Sequence, residues 1–398
     1  MRFVQVLLSA ALLSASPTVA SANTNEINFS GFARLVGGVM LSEDDALSTY
    51  DKDLKFNQHS LLGLQASYDL NPDLSVTAQV LGKTQSSNSG LEWLYLKYHL
   101  NDNWQIKLGK LHTPFFDYSD VINVGYAYPW VVLPTEIYDS FFFSSFTGGL
   151  AEYTSLLAEY NVSIQAYVGQ VDETISVAGE EFDVDLDYFN GIAFQLSRGS
   201  FNARLSKTLG NYRVDDVGLN PVIDAFTEMG QQWPVFSSVS ESLRVEGDVE
   251  FTQLSLSYER LNWYLKGEWI DISHEIDLLT ELTGYYIIAG YQHNEFTYHL
   301  TFSERRGHYI SNFPVLPTIG DPEADYLIGA YNQVSQDRPI FNSSTIILGS
   351  RWDYQPGLAF KLDLSFISGR PEIHLPTIEH TDFDRQATLL TGSVEWVF

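Results

Sequence analysis

The sequence predicts an all-β fold, a sixteen-stranded antiparallel transmembrane barrel with short turns at one rim and long loops at the other. Three observations predict it. From Ile27 to Phe398 apolar residues alternate with small or polar ones, the period-two pattern of strands whose two faces meet different surroundings. The connections between these runs alternate between tight turns and long loops, as in barrels that cross a membrane. Tyrosine, tryptophan and phenylalanine gather at the strand ends beside the tight turns, where amphipathic rings meet a membrane interface.

Taken in order, residues 1–22 read as a cleaved export signal. Arg2 is its positive start, Phe3 to Leu13 its apolar core and Ala20-Ser21-Ala22 its small-residue cleavage site. The apolar run is short for a spanning helix, and Ser14, Ser16 and Pro17 interrupt it. Residues 23–398 then form one barrel, with no linker or composition shift to divide them. The expected strands are 28–40, 60–70, 74–83, 91–100, 104–111, 149–158, 162–170, 187–197, 201–209, 249–258, 262–270, 284–292, 295–304, 344–354, 358–367 and 387–398. The last shows the pattern best: Leu390, Gly392, Val394, Trp396 and Phe398 alternate with Thr391, Ser393 and Glu395.

Tight turns are expected at Asn71-Pro72-Asp73, Asn101-Asp102-Asn103, Arg198-Gly199-Ser200, His293-Asn294 and Gln355-Pro356-Gly357, and long loops at 112–148, 171–186, 210–248, 305–343 and 368–386. The rings beside the tight turns include Tyr98, Trp104, Tyr160, Trp263, Tyr291, Phe296, Trp352, Tyr354, Trp396 and Phe398. A soluble core would not collect them at one rim. No later segment can span as a helix: the longest uncharged run, Val121 to Thr135, has 15 residues against the ~20 required.

Composition excludes several functions. The chain lacks cysteine, so it has no disulfide framework or thiolate metal site. Fifty acids against 22 Lys plus Arg give a formal net charge of −28, which argues against a nucleic-acid partner, since phosphates need a basic footprint. Enzyme fingerprints such as Gly-x-Ser-x-Gly, His-Glu-x-x-His and the phosphate-binding loop are missing.

The opening strand Asn28-Phe29-Ser30-Gly31-Phe32-Ala33-Arg34, the terminal Phe398, and Leu108-Gly109-Lys110-Leu111-His112-Thr113-Pro114-Phe115 followed by Tyr128-Pro129-Trp130 and Pro134-Thr135-Glu136-Ile137-Tyr138 resemble the Gram-negative trimeric porins. The resemblance runs over the whole mature length and departs from general porins in a short second loop, 84–90, and a very aromatic third loop. It implies an outer-membrane, non-enzymatic channel for passive diffusion of small hydrophilic solutes and ions. It also implies a third loop folded into the lumen, contacts with lipids and lipopolysaccharide, a homotrimer, and recognition of Phe398 by the barrel-assembly machinery. A barrel enzyme of lipase or protease type, or an adhesion and phage-receptor barrel, are the alternatives.

With the apolar phase toward lipid, Arg34, Lys83, Lys97, Lys107, Arg204, Lys266, Arg351 and Lys361 should face the lumen, as should Asp69, Glu268, Asp353, Asp363 and Glu395. The third loop carries Asp117, Asp120, Glu136 and Asp139. If it folds inward, its carboxylates oppose wall bases and set a transverse field that filters ions. Asp117 and Asp120 against Arg34, Lys83, Lys97 and Lys107 are the expected constriction. The loop aromatics Tyr118, Tyr126, Tyr128 and Trp130 are candidates for lining it, or for packing the loop against the wall. Small residues on the lipid phase of the first strand, with Gly392, would leave a smooth wall for a neighbouring barrel. The alternating acids Asp183, Asp185 and Asp187, with Glu180 and Glu181, could hold Ca²⁺ at the outer mouth or form a solvated loop. No other cofactor is expected.

Overall fold

The computed structural model describes residues 26–42, 50–56, 58–84, 89–139, 143–177, 180–215, 219–231, 233, 235–310, 315–336, 340–369 and 385–398. The expected signal, 1–22, lies outside the described residues.

Sixteen strands form a closed barrel in which each pairs antiparallel with its chain neighbours and β1 closes on β16. They are β1 (Asn28–Met40), β2 (Leu61–Asn71), β3 (Leu74–Lys83), β4 (Gly90–His99), β5 (Trp104–His112), β6 (Ser145–Leu157), β7 (Tyr160–Val177), β8 (Glu180–Arg198), β9 (Phe201–Asp215), β10 (Glu246–Glu259), β11 (Trp263–His274), β12 (Glu281–His293), β13 (Phe296–His308), β14 (Ser343–Gln355), β15 (Leu358–Gly369) and β16 (Arg385–Val397). Closure leaves no open edge, so the backbone polar groups of every strand find partners within the sheet.

Local chemistry sets the short turns. The Asn71 side chain accepts from the backbone N–H of Asp73 and Leu74 at 2.9 and 3.0 Å, and Asn101 does the same for Asn103 and Trp104 at 2.9 and 3.1 Å. Each asparagine thus closes its own turn. At Gly357, φ is +83° and a Cβ would lie 2.7 Å from the Val397 carbonyl, so only glycine fits there.

The outer face carries the expected apolar phase. Leu62, Leu64, Leu96, Leu108, Leu205, Leu256, Ile287, Leu300 and Leu362 are all exposed. At the short-turn rim Phe296 stacks on Trp352 at 5.8 Å, Trp104 meets Tyr153 at 5.0 Å and Trp396 meets Phe398 at 4.5 Å. These rings, all but Tyr153 exposed, lie where the interfacial girdle of a membrane barrel is expected.

Three sequence expectations need correction. Residues 171–186, expected as a loop, continue β7 and β8 into a tall hairpin, paired from Val171↔Leu186 to Val177↔Glu180 beyond a bulge. Val171, Val184 and Leu186 are buried there, so a strand pattern persists under the acidic composition that suggested a loop. The loop regions 210–248 and 305–343 hold helices α2 (Asn220–Gly230), α3 (Val235–Ser242) and α4 (Pro322–Gln336). Phe226 of α2 touches Phe236 of α3 and Tyr331 of α4 at 5.6 and 5.9 Å, and all three rings join one apolar cluster with the wall residues Ile270, Ile272 and Leu282. The smooth first-strand wall is already filled in part. A Cβ at Gly31 would fall 2.5 Å from the Phe398 ring, and one at Gly37 would fall 2.7 Å from the Phe56 ring.

Candidate functional site

The third loop leaves β5 at His112, turns through two short 3₁₀ segments and helix α1 (Thr135–Tyr138), and rejoins the wall at β6. It lies inside the barrel as a plug. Phe115, Phe116, Tyr118, Tyr128, Trp130, Val131, Ile137 and Tyr138 are buried. Phe115 packs against Phe189 of β8 and Phe251 of β10 at 5.4 and 4.9 Å. Trp130 sits edge-on to Tyr286 of β12 at 5.3 Å, and its indole N–H donates to Thr301 Oγ1 of β13 at 2.8 Å. Of the two roles open to the aromatic candidates, Tyr118, Tyr128 and Trp130 pack the loop, and only Tyr126 keeps a partly exposed ring.

A loop inside a barrel has carbonyls with no ladder to join, and a buried carbonyl needs a donor. Wall cations supply it through charge-assisted bonds. Lys361 Nζ donates to the carbonyls of Gly125 and Trp130 at 2.5 and 2.8 Å. Arg351 Nη1 donates to those of Tyr126 and Tyr128 at 2.6 and 3.1 Å. Arg204 Nη1 reaches the Phe115 carbonyl at 3.1 Å, and its other nitrogen bonds that of Pro114. Arg34 bonds the Val131 carbonyl and donates to the Tyr128 hydroxyl at 2.8 Å. The fit at Lys361 is close, because a Cβ at Gly125 would strike the Glu395 carboxylate at 2.2 Å.

Wall acids hold the loop's donors in turn. Glu268 accepts from the Asp117 N–H at 2.8 Å, from Gln253 Nε2 at 2.9 Å and from the Tyr138 hydroxyl at 2.6 Å. Asp363 accepts from the Val131 N–H at 2.7 Å. From the loop side, Glu136 accepts from Ser303 and Thr345 at 2.7 and 2.5 Å. Burial holds the Tyr128 phenol up at about 12 and the Tyr138 phenol well above its ordinary range, so both stay neutral at neutral pH.

The expected constriction therefore divides. Asp117 ion-pairs with Lys266 and accepts from Ser255 at 3.1 Å, rather than facing Arg34, whose nearest carboxylate is Glu395 at 3.8 Å. Asp120 is exposed on the loop and lines a recess with Gln79 of β3, Trp93 of β4 and His112 of β5. Lys83, Lys97 and Lys107 lie on those same strands and make no ion pair with a described carboxylate. The β11–β16 wall, with Arg351, Lys361 and Glu395 buried, is sealed against the loop. Half-exposed inward residues such as Gln65, Tyr95, Lys97, Gln105, Lys107 and Glu152 lie on β2, β4, β5 and β6. Asp139 is exposed near the loop's end.

Sequence reading missed Glu92, which accepts from Asn123 and Ser144 at 3.1 and 2.9 Å and ties the loop's interior and its last residue before β6 to β4. It sits where the β3–β4 register shifts, at Gln79/Val80, and such a bulge breaks the strict alternation by which facing is read. At the outer mouth Arg213 bonds Asp185 at 2.8 Å and Asp187 at 3.3 Å, and Asp183 accepts from Thr174 at 2.8 Å. Arg213 thus places a positive charge among these acids, the candidates for Ca²⁺ or for a solvated loop.

No family model matches the chain, and no curated protein matches it. Solved structures do. An anion-selective porin from Comamonas acidovorans superposes with a TM-score of 0.57 at 12% identity, covering 94% of this chain and 100% of that one. OmpT, an outer-membrane protein of Vibrio cholerae, gives 0.56 at 9% identity over 96% and 100%. Salmonella typhi OmpF gives 0.53 at 12% identity over 95% and 99%. The fold is that of the Gram-negative outer-membrane porins.

Proposed function

We propose that this porin-fold barrel sits in an outer membrane and conducts small hydrophilic solutes and ions by passive diffusion, through a lane between the third loop and the β2–β6 wall. One observation carries the reading. The inward charges of the β11–β16 wall are spent on holding the loop, whereas Asp120 on the loop and Lys83, Lys97 and Lys107 on the wall form no ion pair among the described residues and lie beside half-exposed polar residues. A narrow lane with fixed charges selects ions by charge and solutes by size.

Asp120 and Asp117 are then not equivalent. Asp120→Asn should shift the zero-current potential across a tenfold KCl gradient toward anion preference, with conductance nearly unchanged. Asp117→Asn should shift it less, because Lys266 already neutralises that carboxylate. The reverse order in reconstituted bilayers would place the filter elsewhere. No release of label from lipid or peptide is expected, and release would favour the enzyme alternative.

A homotrimer is proposed as well. With Gly31 and Gly37 covered by Phe398 and Phe56, the contact would involve those rings rather than a bare stripe. Light scattering in mild detergent should give three times the chain mass, and a single-chain mass would reject the assembly.

A further inference from the structure

We propose that Lys97 and Lys107, with Tyr95, form a binding site for a small doubly charged oxyanion, of the phosphate or sulfate kind, on the short-turn side of the plug. The inference rests on the channel reading and adds a ligand class to its lane.

Lys97 of β4 and Lys107 of β5 are direct cross-strand partners, so their Cα atoms are about 4.5–5.5 Å apart. Their cross-strand partners alternate in register with Tyr95↔Gly109 and His99↔Gln105, all on the inward phase. Both lysines are half-exposed, so the lumen reaches them. Like charges placed directly opposite destabilise a sheet. The chain did not lack acids to relieve this, with 50 of them against 22 basic residues. Yet no described carboxylate forms an ion pair with either lysine: Glu152 of β6 bonds Gln105 and accepts from Ser163 at 2.9 Å, and Asp69 of β2 acts on Lys97 only at longer range, with Ser75 of β3 between them. Lys107 instead lies over the Tyr95 ring, 5.8 Å from its centroid.

The contrast with the other inward bases is the second observation. Arg34, Arg204, Lys266, Arg351 and Lys361 each hold a carbonyl or a carboxylate of the third loop. Lys97 and Lys107 touch no part of that loop in any described bond. They therefore make no described contact with the plug, and their mutual repulsion is offset only in part, by Asp69 at longer range. Two ammonium groups this close suit one compact anion whose several oxygens bridge them, better than an extended molecule whose charges lie far apart. The unbranched lysine stems let both heads converge on such a group.

The test uses the full barrel. Inorganic phosphate and sulfate are added to single channels carrying chloride current, and ligand-observed saturation-transfer NMR with methyl phosphate is run on the detergent-solubilised protein. Wild type should show concentration-dependent reduction of chloride current by both dianions, and saturation transfer to the methyl group. Lys97→Gln with Lys107→Gln should raise the half-blocking concentration about tenfold or more, as expected when two charge-assisted contacts are lost, and should abolish the saturation transfer. The double variant removes a repulsion, so its heat-modifiability should be retained. Block and saturation transfer that survive in the double variant would overturn the site, as would their absence in a conducting wild type. A wild type that conducts nothing but still shows lysine-dependent saturation transfer would refute the channel reading and leave the site standing. If neither conductance nor saturation transfer appears, both fail.

Discussion

Trp130→Ala should loosen the plug and raise single-channel conductance several-fold, at a cost to the barrel of about 3–5 kcal/mol, as for other fully buried tryptophans. Trp130 is wholly buried, packs on Tyr286, and gives its indole hydrogen to Thr301. Its own carbonyl is one of the two that Lys361 holds. Truncation removes the largest side chain among the fully buried ones and leaves Thr301 without its donor, so the loop loses both packing and its bond to β13. The barrel strands keep every ladder bond, which makes a gain of conductance with retained heat-modifiability the expected result. Trp130→Phe restores packing without the N–H and should fall between the two. An unchanged conductance in the alanine variant would mean that this part of the loop does not restrict the lumen.

Glu268→Ala should have a comparable effect through electrostatics. Its carboxylate accepts from the loop at Asp117 N–H and the Tyr138 hydroxyl, and from the wall at Gln253 Nε2. Its removal strands three donors in a buried region beside the Lys266–Asp117 pair. Breaking a buried polar set by deleting one member costs about 3–5 kcal/mol, so the unfolding midpoint in guanidinium should fall clearly. Glu268→Gln keeps two acceptor sites and the shape, and should recover a large part of the loss. Current traces of the alanine variant should show added fluctuations as the loop's first half comes free. A variant as stable and quiet as the parent would show that Asp117 and Tyr138 are held by the surrounding packing alone.

Both predictions concern a part of the molecule that the strand pattern could not resolve. Facing was legible for Arg34, Arg204, Lys266, Arg351 and Lys361, because side chains alternate along a strand. Their partners were not, because the third loop's path depends on contacts 90 to 236 residues apart in sequence, as between Arg204 and Pro114 or Lys361 and Gly125. Helix α2 carries a readable signal: Pro221 at its start, and Leu219, Ile223 and Phe226 at helical spacing. The upper part of the β7–β8 hairpin was obscured by its acids, although its alternating valines and leucine carried the strand pattern.

What the sequence by itself determined is the barrel: sixteen strands, their order, both rims and the outer apolar face all follow from period-two alternation, local turn chemistry and ring placement, each readable within a dozen residues. Only the tertiary structure decided which charges line a path and which hold the plug. Asp117 and Asp120 are three residues apart and chemically alike, but one is bonded to Lys266 and Ser255 while the other stands exposed. A charge's role inside a lumen depends on what lies within hydrogen-bond reach, and closing the barrel brings together residues from strands far apart in the chain, a proximity that no local pattern encodes.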